Sequence, residues 1–460
     1  MEDIERKEHK SVSTEGLAQS KEELVEKLQE LEQPLSIDEL KEILGSTVRH
    51  DDDNKVITFL TMLLTYTEED QINLGFFAES STGKSYIPLE LSAYFPNEDV
   101  IKLGYASPTA FFHEFGELVT DPVDNKKFIH VHLENKIVIL LDQPHDQLLQ
   151  RLRSLLSHDE KLLICKITDR REKSGLRTKE VIIHGFPTWI FCTAKTSMHE
   201  QERTRLLLLS PESNQEKLRE TIALRIDKEG DRAAFKKRMI EDRKRQVLAI
   251  RVSRLKSQAI KYVIIPEDLR TEIYDQFTKQ HITLIARHQR DITRLMAIIK
   301  GSALLNFMHR NRVNSSVIVN REDVINGFAL YSQVSEANEM GLSPEMFHIW
   351  QQLKPYFEDA EIGLSRKDLQ GYYYKTFYKN IGREAAMNLL KAWESVGIVI
   401  EQPDPNDRRI LRYTNQNNVY PECGVNRETT SIKHGLANSD SSLPHSGDTH
   451  SLASYGEGSP

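Results

Sequence analysis

Cysteine is scarce in this 460-residue chain, long apolar runs and an excess of basic charge are missing, and each shortage narrows what it can do. The three cysteines, Cys165, Cys192 and Cys423, stand too far apart in sequence to make a zinc site by themselves. Cys165 and Cys192 fall in strand-like apolar runs, where a free thiol behaves as a small buried hydrophobe, and a reducing cytoplasm suits them. No apolar run approaches the roughly 20 residues that cross a bilayer, so no membrane partner is expected. The opening Met1-Glu2-Asp3-Ile4-Glu5-Arg6-Lys7 has no apolar core and is not expected to act as a secretory signal. Lys and Arg total 61 against 69 Asp and Glu, a net charge of -8. That balance does not advertise nucleic-acid binding, but a global sum hides local patches. The length suits two or three domains.

What is present is organised around residues 74–85. An apolar run, Leu74-Gly75-Phe76-Phe77, can form a buried strand, and it leads into Ala78-Glu79-Ser80-Ser81-Thr82-Gly83-Lys84-Ser85. A strand, a small-residue loop ending in Gly-Lys-Ser and a following helix make a P-loop, whose backbone N–H groups surround phosphates. Lys84 is then expected on the β- and γ-phosphates of ATP and Ser85 on Mg²⁺. Ala78 replaces the first glycine of the usual pattern. The bland alternative is a chance Gly-Lys-Ser in a surface loop.

Sequence on both sides bears on that choice. The first 35 residues read as a charged arm. Ser36 and Glu39 are spaced as a capping box, and a helix is expected from near Asp52 to Tyr66. Helix is also expected over residues 88–95 and from Pro108, with a short strand at Val100–Gly104 between them. Ile137-Val138-Ile139-Leu140-Leu141-Asp142 reads as a buried parallel strand ending in a carboxylate, which would hold the metal-bound water opposite Lys84. Gln143 stands where a water-activating Glu usually follows, and an amide orients water without accepting its proton. A helix over residues 145–157 precedes a β-hairpin, residues 162–167 and 179–183, whose tip carries Arg170, Arg171, Lys173 and Arg177. The strand Thr188–Thr193 ends where a γ-phosphate sensor would sit, so Thr193 or Lys195 is the candidate. Arg205, directly before the apolar Leu206–Leu209, suits an arginine finger given to a neighbouring subunit, or is an ordinary surface Arg.

This order of parts resembles the AAA+ ATPases with a hairpin inserted before sensor 1, and among them the minichromosome-maintenance-type helicases and their relatives on mobile elements. The likeness covers about residues 40 to 310. It implies an α/β fold: a parallel P-loop sheet flanked by helices (36–212), then a helical linker and lid (213–338). It also implies ATP and Mg²⁺ as cofactors, DNA as partner and self-assembly into a hexameric ring, and leaves open whether a primase or polymerase works alongside. Lys84 and Ser85 match Walker A, Asp142 matches Walker B, Thr193 matches sensor 1 and Arg205 matches the finger. Arg290, in Arg290-Asp291-Ile292-Thr293-Arg294-Leu295, matches sensor 2. The resemblance implies a DNA helicase or replication initiator; Gln143 favours a nucleotide-gated DNA-binding regulator instead.

Residues 213–261 read as long helices with a basic strip from Arg232 to Lys261, either a phosphate track or a solvated face with internal ion pairs. Residues 339–416 look like a winged helix. Arg408 and Arg409 on its wing are expected to contact DNA, although such modules also dock proteins. Residues 417–460, rich in Ser, Gly, His and Asn, have the composition of a disordered tail.

Overall fold

The computed structural model describes Leu31 and residues 33–78, 82–104, 116–120, 127–142, 146–169, 177–193, 204–212, 214–281 and 284–415. The charged arm before Leu31, the helix expected from Pro108, the hairpin tip and the tail after residue 415 therefore lie outside the described residues.

Helix α1 (Ile37–Gly45) opens with the capping box: Ser36 Oγ accepts from Glu39 N, and Glu39 returns a carboxylate oxygen to Ser36 N at 2.9 Å. Helix α2 (Asp52–Leu63), continued by a 3₁₀ turn to Tyr66, is buried along almost its whole length. After strand β1 (Asn73–Phe77), the helix expected over 88–95 is instead α3 (Tyr86–Leu91) with a 3₁₀ turn to Tyr94. Pro88 is accommodated because it lies within the first turn, where its missing N–H costs nothing.

Strands β1, β2 (Val100–Leu103), β5 (Ile137–Leu140), β8 (Thr188–Thr193) and β9 (Leu206–Leu209) form one all-parallel sheet in the order β2-β5-β8-β1-β9. Both of its faces are covered, which is why its strands read as unbroken apolar runs. On one face Leu74, Phe76, Ile139, Ile190 and Leu207 pack against α2 and the helices that follow β9. On the other, Val138, Leu140, Trp189, Phe191 and Leu208 meet helix α4 (Asp146–Leu156) through Leu148, Leu149, Leu152 and Leu155.

A second sheet, β3-β4-β7-β6, shares that second core. The expected hairpin is there, β6 (Leu162–Asp169) antiparallel to β7 (Arg177–His184). The unexpected part is a further hairpin, β3 (Gly116–Thr120) and β4 (Lys127–His132), which joins it by parallel pairing of β4 with β7. Ile129, Val131, Val181 and Ile183 turn inward, while His130, His132 and His184 stack on the outer face.

Residues 215–257 form three helices, α5 (Gln215–Gly230), α6 (Arg232–Glu241) and α7 (Arg243–Ser257). Helices α8 (Glu267–Gln280), α9 (His288–Leu305) and α10 (Arg321–Glu339) follow, and α7 to α10 pack into the core of the parallel sheet. A Cβ on Gly301 of α9 would stand 2.9 Å from Leu60 Cβ and 3.0 Å from the Leu60 carbonyl, so α9 approaches α2 as only glycine permits. Edge strand β9 is covered by α10: Asn338 accepts from Leu208 N at 2.8 Å and donates to its carbonyl at 3.0 Å.

Residues 342–413 have a third, separate core. It joins α11 (Pro344–Glu358), α12 (Arg366–Phe377) and α13 (Arg383–Ser395) to a small antiparallel sheet of Leu364–Ser365, Val399–Pro403 and Leu411–Asn415. Trp393 is fully buried against Trp350 and Phe357. Gly397 ends α13 with φ of 74°, the left-handed turn that glycine favours.

Among the described residues, no helix is long and apolar enough to cross a membrane.

Candidate nucleotide-binding site

Because all five strands run the same way, their C-terminal ends share one edge of the sheet. β1 lies between β8 and β9, neither of which is next to it in sequence, so the loop after β1 leaves the sheet at a topological switch point. Open α/β sheets bind ligands there. Thr82, Gly83, Lys84 and Ser85 lie in that loop. Gly83 has φ of 99°, a conformation that a side chain at this position would strain. Tyr86 and Ile87 N–H groups both donate to the Gly83 carbonyl, turning the chain into α3.

Ala78, Asp142 and Thr193 lie at the same edge. Ala78 N donates to the Thr193 carbonyl at 3.4 Å, binding the start of the loop to the end of β8. Thr193 is buried. Cys192 Sγ donates to the Lys84 carbonyl at 3.5 Å, and burial pushes that thiol up to about 12, so it stays a protonated donor. Asp142 lies two residues beyond β5 and is exposed, its turn fixed by Leu141 N donating to the Leu103 carbonyl. Ser85 makes no capping bond to α3. Glu79, Ser80, Ser81, Gln143 and Lys195 lie outside the described residues.

Beneath the loop is a buried polar network that sequence reasoning missed. Lys217, in the first turn of α5, is ion-paired with Asp51 and donates to the carbonyls of Glu212 and Thr82, at 2.9 and 3.5 Å. Asp51, only 1% exposed, also accepts from Asn54 Nδ2 and from Glu212 N. Asn54 donates to the Ser210 carbonyl, and Ser210 Oγ to the carbonyl of Phe77. The network thus ties α2, α5 and the end of β9 to both ends of the loop. No local signal announces it, since Asp51 and Lys217 are 166 positions apart. Lys217→Met strands a buried carboxylate and is expected to lower unfolding stability by about 3–5 kcal/mol. Urea denaturation measures this, and the double variant with Asp51→Asn should recover most of the loss.

Arg205 and Arg290 lie elsewhere. Asn73 of β1 pairs with Leu206 of β9, so Arg205 stands at the N-terminal edge of the sheet. The five residues of β1 separate that edge from the loop by about 16 Å. Arg205 Nε donates to Ser157 Oγ at 2.5 Å. Arg290 donates to Thr204 Oγ1 at 2.5 Å, and Arg294, held by Asp291, donates to the Thr204 carbonyl at 2.8 Å. The expected finger and the expected sensor 2 are therefore gathered at one turn, away from the Lys84 loop of their own chain.

The basic candidates divide in the same concrete way. Of the hairpin residues, Arg177 opens β7 opposite Asp169, and Lys173 lies outside the described residues. The strip from Arg232 to Lys261 is largely neutralised in place. Arg232 pairs with Glu229, Lys237 with Glu241, Arg238 with Asp227, Lys244 with Glu42, Lys256 with Glu98 and Asp99, and Lys261 with Glu68. Arg251 is buried, donating to the carbonyls of Leu305, Leu31 and Gln33. Much of the strip is thus a face of ion pairs. In the C-terminal module, Arg408 and Arg409 occupy the turn between the last two strands, Arg409 almost wholly exposed and paired with Asp407 at 3.1 Å. Arg412 instead braces the module through Asp404 and the Gly363 carbonyl.

No protein-family model matches the chain, and no curated protein matches it.

Proposed function

We propose that the chain is an ATP-dependent, DNA-binding motor of the AAA+ kind, working as a ring oligomer in DNA replication or on a mobile element. One observation carries this reading. Lys84, Ser85, Asp142 and Thr193 share the switch-point edge of a parallel sheet, while Arg205 and Arg290 share the opposite edge. A phosphate bound at Lys84 is out of reach of the same chain's Arg205, but a neighbouring copy can present its own.

In this reading Lys84 neutralises the β- and γ-phosphates, and Ser85 and Asp142 hold Mg²⁺. Mg²⁺ held there would supply charge neutralisation. Water attacks the γ-phosphorus in line as the bond to the β–γ bridging oxygen breaks, ADP leaving with that oxygen. Thr193 hydrogen-bonds the γ-phosphate, and the neighbour's Arg205 stabilises the charge that develops. The hairpin bearing Lys173 and Arg177 and a C-terminal winged helix bearing Arg408 and Arg409 engage DNA. Turnover measured with and without single-stranded DNA tests this. No stimulation by DNA, together with Lys173→Ala and Arg177→Ala variants that bind DNA normally, contradicts a helicase.

Gln143 favours a second reading, a nucleotide-gated DNA-binding regulator that assembles with ATP and hydrolyses it slowly. The two readings part at one substitution. If the missing base limits hydrolysis, Gln143→Glu raises kcat by about 10²-fold at unchanged ATP affinity, read in a steady-state assay.

A further inference from the structure

Three helix ends meet on the side of the molecule where α8, α9 and α10 converge. His281 follows α8, His288 opens α9 and Glu339 ends α10. One ligand atom from each lies within 4.8 Å of the other two. The His281 and Glu339 side chains are only 10% and 22% exposed, and His288 is buried.

We propose that His281, His288 and Glu339 form a site for a divalent transition metal of the zinc class. Two imidazoles and a carboxylate are a donor set that suits Zn²⁺, with a fourth position for water. His281 Nδ1 lies 2.7 Å from the Phe277 carbonyl and donates to it, so Nε2, which shares a proton with Glu339 in the metal-free chain, becomes the ligand as the metal displaces that proton. A second hydrogen bond of this kind orients most metal-bound histidines. Nε2 faces the Glu339 carboxylate at 2.8 Å, and the His288 ring lies 4.2 Å from the His281 ring, centre to centre. Asp291, one turn beyond His288 and fully buried, is paired with Arg294 at 2.7 Å and with Arg287 at 3.7 Å, so its charge is offset and the three ligand side chains carry the site.

Tetrahedral ligands at zinc distances stand about 3.3 Å apart. Binding therefore opens the His281–Glu339 pair slightly and draws His288 inward. The alternative is a hydrogen-bonded His–Glu pair with a histidine stacked on it. A bound metal would join α8, α9 and α10 at one point, three residues short of Asp291 and six short of Arg294. It would stiffen the helix that presents Arg290. The inference stands on these three side chains alone and holds whether or not the chain hydrolyses ATP.

The test uses the full chain without an affinity tag, stripped with chelator and titrated with Zn²⁺ by calorimetry and thermal melting. One Zn²⁺ is expected to bind per chain and raise the melting temperature. His288→Ala and Glu339→Gln should each weaken binding at least tenfold, whereas His130→Ala, in the histidine stack on the four-stranded sheet, should leave it unchanged. Glu339→Gln is nearly isosteric and its fold is checked by circular dichroism. A folded Glu339→Gln protein that binds Zn²⁺ as tightly as wild type overturns the site. So does a wild-type chain that takes up no Zn²⁺, or a loss of binding that follows His130→Ala instead.

Discussion

Arg205→Ala is expected to lower ATP turnover by roughly 10³–10⁵-fold while leaving ATP affinity within a few-fold of wild type. The asymmetry follows from position. Arg205 stands at the edge of the sheet away from its own Lys84 loop, held by Ser157, so its loss removes nothing from the nucleotide that its own chain binds. On the proposed mechanism, what disappears is charge stabilisation in the neighbour's transition state, and 10³-fold corresponds to about 4 kcal/mol of barrier. Losing the bond to Ser157 costs about 1 kcal/mol of stability, too little to account for such a fall. Steady-state turnover and an equilibrium titration with a fluorescent ATP analogue separate the two effects. An Arg205→Ala protein that turns over at the wild-type rate leaves Arg205 an ordinary surface residue.

Lys84→Ala should act at the other edge and in the other way. Removing the ammonium leaves the phosphate charge uncompensated in both the bound and the transition state, so affinity and turnover fall together. ATP affinity is expected to drop at least 10²-fold, about 2.7 kcal/mol, and hydrolysis to fall to background. The fold should survive, because Lys84 is a loop residue outside the sheet cores, and the Lys217–Asp51 network still ties the loop at Thr82. Lys217→Met should show the reverse pattern, with stability lost first and nucleotide affinity only through the loop. A Lys84→Ala protein that binds ATP normally removes the site itself.

The parallel sheet was legible because its strands are buried on both faces. Ile137–Leu140, Thr188–Thr193 and Leu206–Leu209 read as continuous apolar runs, and each is a strand where it was expected. Helix ends with side-chain caps were equally plain, as at Ser36. The β3–β4 hairpin went unread although β4 carries a signal. In Phe128-Ile129-His130-Val131-His132-Leu133, the buried Ile129, Val131 and Leu133 alternate with the two histidines, the period of a half-buried strand. Its pairing with β7 rather than only with β3 is a long-range fact that no window holds.

The same limit explains the site. Lys84 and Ser85 were candidates by spacing and Asp142 and Thr193 by ending apolar runs, and the fold places all four at one edge of the parallel sheet. The Asp51–Lys217 pair, the Arg290–Thr204 bond and the His281–His288–Glu339 group each join parts of the chain distant in sequence, and each became visible only with the chain folded. The basic strip could not be decided from sequence for a related reason. Its local sequence has few acids, but Glu42, Glu98, Asp99 and Glu68 arrive from elsewhere to pair with it.

The central claim is that each nucleotide is held by the Lys84 edge of one copy and completed by the Arg205 edge of the next. Mixing the Lys84→Ala and Arg205→Ala proteins tests it most directly, with ATP turnover followed as their ratio is varied at fixed total protein. Each variant alone should be inactive. In the mixture, an intact Lys84 loop on an Arg205→Ala subunit can meet an intact Arg205 on a Lys84→Ala subunit. The account predicts turnover that rises to a maximum near equal proportions, at about a quarter of the wild-type rate if subunits mix at random and interfaces act independently. Turnover that stays at the level of the two separate variants at every ratio would contradict it.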